Sequence, residues 1–513
     1  MRRMTEAERC WIAGDMDGAL HHATAMLRHA PSADALLILS RIADERHGFA
    51  DALALAQRAA ALAPGDLRCA AQHAYAALRA GNVDLARDAA RHAGALPGDD
   101  AEALDLIGVV YHGLNDYAAS AAMLRRASAA RPDDPRLLAN LAAVLTLCGA
   151  IDDARAACRA ALRIDPQSTR ALAMLSEISP AAPHDNLVAP IEAAIARSPS
   201  PAEHLVLHHA LAREREGLGD LAGAFAALHR GKDRLLARLP RPLHDDRAMF
   251  DALARLPAPT QRGAGGDRAI FIVGMPRSGT TVVERILSNC AGVFGMGESQ
   301  AMPALLRRVT GSGASQLVDA AALEHHWARL PMAAIGTEYL RQAAALAPAA
   351  VRHVDKLPLN FLLVDAILAA LPAARILWVH RDPIDTVAGN YRQMFEYQSG
   401  SYDYTLTLAD TARFVAAAER MRARSIARHP ASIHAVDLDA IVDHPEATAR
   451  ALLDFCGLPW RDGVTAIDRN PTPAGSASAA QVRVPIHGGH RARAARYRPF
   501  LADAIAILDR ARD

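Results

Sequence analysis

Two rhythms of apolar and polar positions divide this chain. Over its first third, small apolar residues return at helical spacing and carry two markers with them. An alanine in a G/N-x-x-x-A type context stands at Ala19, Ala52, Ala86, Ala119 and Ala154, at spacings of 33, 34, 33 and 35. A proline follows each, at Pro31, Pro64, Pro97, Pro132 and Pro166, at spacings of 33, 33, 35 and 34. Two markers keeping one period predict helical hairpins of about 34 residues, the alanine letting two helices approach and the proline ending the second. From Arg268 the rhythm changes. Ala269–Val273 (AIFIV) is a short apolar run rich in β-branched and aromatic residues, the pattern of a buried strand. Similar runs at 351–354, 374–380 and 432–438 alternate with helical patterns at 281–289, 359–371, 384–395 and 447–458. That alternation predicts a mostly parallel sheet, with a ligand at the carboxyl ends of its strands.

The repeating part resembles the tetratricopeptide family, with about five repeats over residues 5–178. A further hairpin is expected at 203–235, where GLGDLAGAFAALHRGK restates the repeat's opening phrase. Between them, the prolines of 179–201 predict an irregular break. The expected organisation is an N-terminal all-α tetratricopeptide solenoid over 1–240, a linker over 241–267 and a C-terminal α/β domain over 268–513. Such arrays offer a concave face, so a peptide or protein partner is expected there. An array that only scaffolds or dimerises the second half is the alternative.

Composition narrows the function classes. The 57 basic and 56 acidic residues leave a net charge of +1, which argues against general attraction to nucleic acid or an anionic membrane. The cysteines Cys10, Cys69, Cys148, Cys158, Cys290 and Cys456 form no C-x-x-C pair and are expected as buried free thiols. Neither an apolar signal segment nor a run of about 18 apolar residues is visible, so a cytoplasmic chain without a membrane span is expected.

Candidate chemistry gathers where the apolar runs end. Gly274–Thr281 (GMPRSGTT) turns a strand into a helix, a geometry that aims backbone N–H groups and a helix N-terminus at an anion. Gly274 and Gly279 are spaced as in G-x-x-x-x-G-K-[ST], but Thr280 holds the lysine position and the cation comes earlier, as Arg277. A phosphate-like ligand is expected, and a nucleotide kinase or triphosphatase is disfavoured. Glu298, after Gly297, is a general base or a helix cap. Lys356 ends a strand in His353-Val-Asp-Lys-Leu-Pro-Leu-Asn360, as a leaving-group partner or a solvated charge. Arg381 ends another, free to fork onto a phosphate or to pair with Asp382 or Asp385.

Together, PRSGTT after a buried strand, a G-E pair whose glutamate stands 21 residues after Arg277, D-K-x-P-x-N-F and a strand ending in R-D-P resemble the sulfotransferases, over about 269–500. The likeness is to bacterial proteins fusing tetratricopeptide repeats to a sulfotransferase domain, and to the tyrosylprotein sulfotransferases. It implies a P-loop-like α/β sulfotransferase domain and 3′-phosphoadenosine 5′-phosphosulfate as donor, with no metal. The resemblance would place the 5′-phosphosulfate on Arg277, Ser278, Gly279, Thr280 and Thr281. Lys356 would serve the bridging oxygen with Arg277 assisting, and Glu298 would be the base for an acceptor hydroxyl, protein tyrosine among the candidates. Arg381 would hold the 3′-phosphate, and Ser478, in an S-x-x-Q-V-like stretch, would close over the donor.

Two positions depart from the family pattern. Gly389 stands where relatives carry a second 3′-phosphate serine, with Thr386 and Asn390 nearby. Where relatives carry a tryptophan before R-x-Y, the stretch 491–500 offers alanines, with Arg491, Arg493 and Arg496 adding charge. The alternative function is therefore a repeat-based binding scaffold with a catalytically weak sulfotransferase fold. Tyr402 and Tyr404 are expected as ordinary loop tyrosines, with self-sulfation the alternative.

Overall fold

The structure, a computed structural model, describes residues 4–46, 48–198, 200–239, 241–470 and 484–511. It forms two compact units, Met1–Ser179 and Pro180–Asp513.

The first unit is helical. Its hairpins are α1 (Glu6–Ile12) with α2 (Met16–His29), α3 (Ala33–Glu45) with α4 (Phe49–Leu62), and α5 (Leu67–Arg79) with α6 (Val83–Ala95). They continue with α7 (Ala101–Gly113) and α8 (Tyr117–Ala130), then α9 (Pro135–Cys148) and α10 (Ile151–Ile164), and α11 (Thr169–Ile178) follows alone. The period is set by capping chemistry. Ser32, Asp66, Asp100, Asp134 and Ser168, 34 residues apart, each cap a helix by accepting a backbone N–H. The five marker prolines each stand two residues beyond the end of α2, α4, α6, α8 or α10.

Ala19, Ala52, Ala86 and Ala154 are fully buried. In the fourth hairpin the packing residue is Ser120, not Ala119. Its Oγ donates to Gly108 O at 2.7 Å, as Ser40 Oγ does to Ala52 O at 2.8 Å. A hydroxyl bonded to the facing helix fits where an alanine would, which is how the marker slipped by one.

The second unit opens with α12 (Val188–Arg197), α13 (Pro201–Gly217), α14 (Leu221–Leu236) and α15 (Asp246–Arg255). Two stretches expected to be irregular therefore hold helices. Pro190 sits in the first turn of α12, where its missing N–H costs no helical bond, and Asp245 caps α15 by accepting from Ala248 N. The expected hairpin is α13–α14, but the compact units part at Ser179/Pro180 rather than near residue 240. Side-chain chemistry explains why: buried Lys232 of α14 donates to Tyr391 O and Thr405 O at 2.5 Å each. Arg241, next along, grips Asp403 at 2.6 and 2.8 Å.

A five-stranded sheet follows, β1 (Ala269–Gly274), β2 (Val293–Gly295), β3 (Arg352–Asp355), β4 (Arg375–His380) and β5 (Ile433–Asp437), in the order β2-β3-β1-β4-β5. Every pairing is parallel. Helix α16 (Thr280–Ser288) joins β1 to β2, and α17 (Ala301–Thr310), α18 (Ala320–His326) and α19 (Met332–Leu346) lead to β3. A 3-10 turn at Pro358–Leu363 and α20 (Val364–Ala370) lead to β4, and α21 (Pro383–Arg392) and α22 (Leu408–Arg428) to β5. The chain ends through α23 (Leu438–Asp443), α24 (Pro445–Cys456), α25 (Gly489–Tyr497) and α26 (Ala502–Arg510). β1, buried along its whole length, lies between β3 and β4. The chain runs first to one side of it and then to the other, the reversal that opens a crevice at the carboxyl ends.

Candidate active site

The loop after β1 is shaped by what cannot fit there. Gly274 has φ 142°, and a Cβ on it would lie 2.1 Å from Val379 O, so the chain leaves β1 flush against β4. Gly279, at φ 101°, caps α16 without a side chain over the helix N-terminus, and a Cβ there would meet Leu438 Cδ1 at 2.5 Å. Between them Arg277 takes φ 68°, a conformation costing a non-glycine residue about 1–2 kcal/mol. The surroundings impose it: Asn390 Nδ2 donates to Pro276 O at 2.7 Å and Arg381 Nη1 to Arg277 O at 3.5 Å. A strained, glycine-flanked loop feeding a helix N-terminus has a geometry able to hold an anion. Ser278, however, turns its hydroxyl into the sheet, donating to Val379 O at 3.3 Å. Thr280 and Thr281 are buried in the first turn of α16.

The exits of β2 and β3 are stitched together. Met296 N donates to Val354 O at 2.7 Å and Lys356 N to Gly297 O at 2.9 Å. This brings Glu298 onto the buried ammonium of Lys356, with Nζ 2.7 Å from Oε1. Glu284, one turn into α16, approaches the same Nζ at 3.8 Å. Burial pushes the Glu284 carboxyl above its ordinary range, Lys356 opposes that, and the charge of Glu298 adds to it; Gly297 N–H also bonds Glu284. Behind Lys356, fully buried Asp355 accepts from Tyr339 OH at 3.0 Å, Leu357 N at 3.3 Å and Asn360 Nδ2 at 3.2 Å. The aspartate and asparagine of D-K-x-P-x-N thus fix the backbone that aims the lysine.

At the end of β4, Arg381 is buried and donates to Asp385 Oδ2 at 2.9 Å. Asp382 instead caps α21, accepting from Ile384 N and Asp385 N. Gly389 faces this corner: a Cβ there would lie 3.3 Å from Arg277 Cβ and 3.8 Å from Arg381 Nη1. Thr386 and Asn390, the neighbours able to replace a serine, are engaged internally, Thr386 Oγ1 with Asp382 O at 2.9 Å and Asn390 with Pro276 and Tyr404.

The structure brings together Arg277, Thr280, Thr281, Glu298, Lys356 and Arg381 at the carboxyl ends of β1–β4. Ser478 lies outside the described residues. Arg491 of the variant C-terminal stretch pairs with Asp439 and Asp443 of α23. Tyr404 is buried with its hydroxyl on Asn390, and Tyr402 stacks on Phe395 with centroids 4.7 Å apart. Glu284 was missed as a site member, its only signal a glutamate among the apolar residues of VVERIL; Asp355, within D-K-x-P-x-N-F, and Asn390, beside Gly389, were visible in the sequence but not in the positioning roles they take here.

Residues 269–462 match the model of the sulfotransferase family, and residues 111–178 match a tetratricopeptide-repeat model. The chain carries a sulfotransferase-family domain behind tetratricopeptide repeats. An uncharacterized protein of Aquifex aeolicus (strain VF5) is 28% identical over 411 residues, 76% of this chain and 52% of its own length. The chain therefore spans about half the length of this curated relative. Among solved structures, MamA is 19% identical and covers 33% of this chain and 99% of its own, at a TM-score of 0.27. A thermophilic TPR protein of Thermus thermophilus is 22% identical over 34% of this chain and 94% of its own, at 0.29. No helix among the described residues is long and apolar enough to cross a membrane.

Proposed function

We propose that the second unit transfers a sulfuryl group from 3′-phosphoadenosine 5′-phosphosulfate to a hydroxyl acceptor, with protein tyrosine as the acceptor class tested first. The observation that carries this reading is the Lys356–Glu298 pair beside the β1 loop, with Arg381 at the neighbouring strand end. The donor, when bound, supplies a sulfuryl group on a phosphate leaving group. The β1 loop and the N-terminus of α16 suit its anionic 5′ end, because a helix N-terminus presents backbone N–H groups and the positive end of its dipole to an anion. Arg381 and Arg277 are the cations for the 3′-phosphate and the transferring group. Glu298 takes the acceptor's proton as the new S–O bond forms, and Lys356 neutralises the bridging oxygen as the old one breaks. These roles ask for positioning and charge, the same demands as phosphoryl transfer.

The repeats are read as the holder of an extended peptide or protein partner, which favours a protein acceptor by analogy. A cytoplasmic location belongs to the same reading. Incubating the purified chain with labelled donor and hydroxyl acceptors, tyrosine peptides included, should label at least one. Absence of donor binding by calorimetry at millimolar concentration would overturn the reading. Gly389 favours a second one, a binding scaffold with a weak transferase. Donor binding without labelling of any acceptor in a broad panel or lysate would select it.

A further inference from the structure

Of the 57 lysines and arginines in the chain, only Lys232 and Lys356 are lysine. Both are buried, at 2% and 1% exposure. Lys356 belongs to the site above, whereas Lys232 stands on α14, outside it. Its Nζ donates to Tyr391 O and Thr405 O at 2.5 Å each and lies 3.8 Å from the centre of the Tyr391 ring. Burial holds this ammonium's pKa well below a lysine's ordinary value. A chain that uses arginine elsewhere keeps lysine here for a physical reason. A compact ammonium with three donors fits between two carbonyls and a ring face, where a planar guanidinium fork would not.

Each of the two carbonyls belongs to the residue after a member of a hydrogen-bonded pair. Asn390 precedes Tyr391, Tyr404 precedes Thr405, and Tyr404 OH donates to Asn390 Oδ1 at 2.9 Å. Asn390 Nδ2 donates in turn to Pro276 O at 2.7 Å, next to left-handed Arg277. The hairpin holds the same helix end a second time, through Glu216 of α13 and Arg392. Hydrogen bonds joined by single backbone steps therefore connect α14 to the loop after β1.

We propose that Lys232 is a positioning residue for the donor site: its ammonium ties the C-terminal end of α21 to the Asp403–Thr405 turn and so fixes the 276–279 loop in its anion-binding conformation. The helical hairpin is then a buttress of the catalytic unit rather than a spare repeat. The ligand's identity rests on the donor reading above; the coupling does not.

The test uses the full chain, with Lys232→Met, and with Tyr404→Phe as a variant that removes the Tyr404–Asn390 bond and leaves Lys232 in place. Amide hydrogen exchange of the unliganded chain is followed by mass spectrometry, and binding of 3′-phosphoadenosine 5′-phosphate by calorimetry. Loss of about one hydrogen bond's worth of restraint should speed exchange over 277–281 threefold or more and weaken binding by about the same factor. Exchange over 269–273 should stay at the wild-type rate in both variants. Lys232→Gln, which removes the charge and shortens the side chain but keeps a donor, takes the place of Lys232→Met if that variant does not fold. Wild-type exchange over 277–281 in every folded variant overturns the proposal. Should the wild-type chain bind no 3′-phosphoadenosine 5′-phosphate, the donor reading fails while the exchange measurement still decides the role of Lys232.

Discussion

Lys356 and Glu298 meet at 2.7 Å across 58 residues of sequence, because the backbones after β2 and β3 bond each other first. The pair is unequal: the Lys356 side chain is 1% exposed and that of Glu298 36%. Glu298→Gln should therefore cost little stability but lower turnover more than tenfold, about 1.4 kcal/mol or more, with product-nucleotide binding retained. Lys356→Ala should match that loss and destabilise the fold as well, since it leaves Glu284 and Glu298 facing one another without their cation. Turnover by Glu298→Gln within twofold of wild type would remove the base from the mechanism.

Glu284 predicts a pH dependence of binding. Its carboxyl is held above the ordinary range, so it is neutral toward acid and ionises as pH rises. Ionisation puts a second negative charge on one ammonium, at the place where an anion must enter. Affinity for 3′-phosphoadenosine 5′-phosphate should then fall with rising pH more steeply in the wild type than in Glu284→Gln. The ligand's own titration is common to both, so the ratio of their dissociation constants isolates Glu284. A ratio that stays constant between about pH 5 and about pH 8 would sink this account.

What was legible in the sequence, and what was not, follows from the range of each interaction. The 34-residue period could be read because caps and helix-ending prolines act within one turn of their own position. Strands β1, β3, β4 and β5 announced themselves by apolar runs, whereas three-residue β2, half-buried throughout, left no such trace. The helix expected from 359 starts as a 3-10 turn, Pro358–Leu363, where Pro358 fixes the backbone and donates no bond. At the site, Arg277, Lys356 and Arg381 were visible because strand ends expose charge. Glu284 was not, because a glutamate four residues into an amphipathic helix looks like any solvent-facing residue until β3 is placed beside it. The same holds for the hairpin α13–α14, whose sequence follows the repeat pattern while Lys232 and Glu216 bind it to α21.

Gly389 offers a test by restoration. A bare Cβ there presses on Arg277 Cβ at 3.3 Å, so Gly389→Ala should displace the strained loop and weaken binding of 3′-phosphoadenosine 5′-phosphate, despite alanine's better helix propensity of about 1 kcal/mol. Gly389→Ser carries the same Cβ but adds a hydroxyl beside the Arg381 guanidinium, where a 3′-phosphate would sit. It should bind at least about threefold tighter than the alanine variant, one hydrogen bond's net worth. Equal affinities would mean that this corner does not receive the phosphate.

Asp355 carries the last prediction, on stability. Burial pushes its carboxyl up to about 7, Tyr339 and the Leu357 N–H oppose the shift, and Glu284 adds to it. In the unfolded chain the same group titrates near about 3.9. Between those values the folded protein keeps a proton that the unfolded chain has released. Its contribution to stability therefore falls as pH rises from about 4 to about 7 and is level above that. Asparagine has the same shape, can donate to Tyr339 as the protonated acid would, and has no charge to desolvate. Asp355→Asn should accordingly lack this decline, and its advantage over wild type in urea unfolding should grow across that window by on the order of 3 kcal/mol. Parallel stability curves would show that Asp355 is ionised and paired in the fold at neutral pH. Turnover should stay within about threefold of wild type in the variant, because the hydrogen bonds that orient the Lys356 backbone survive the change.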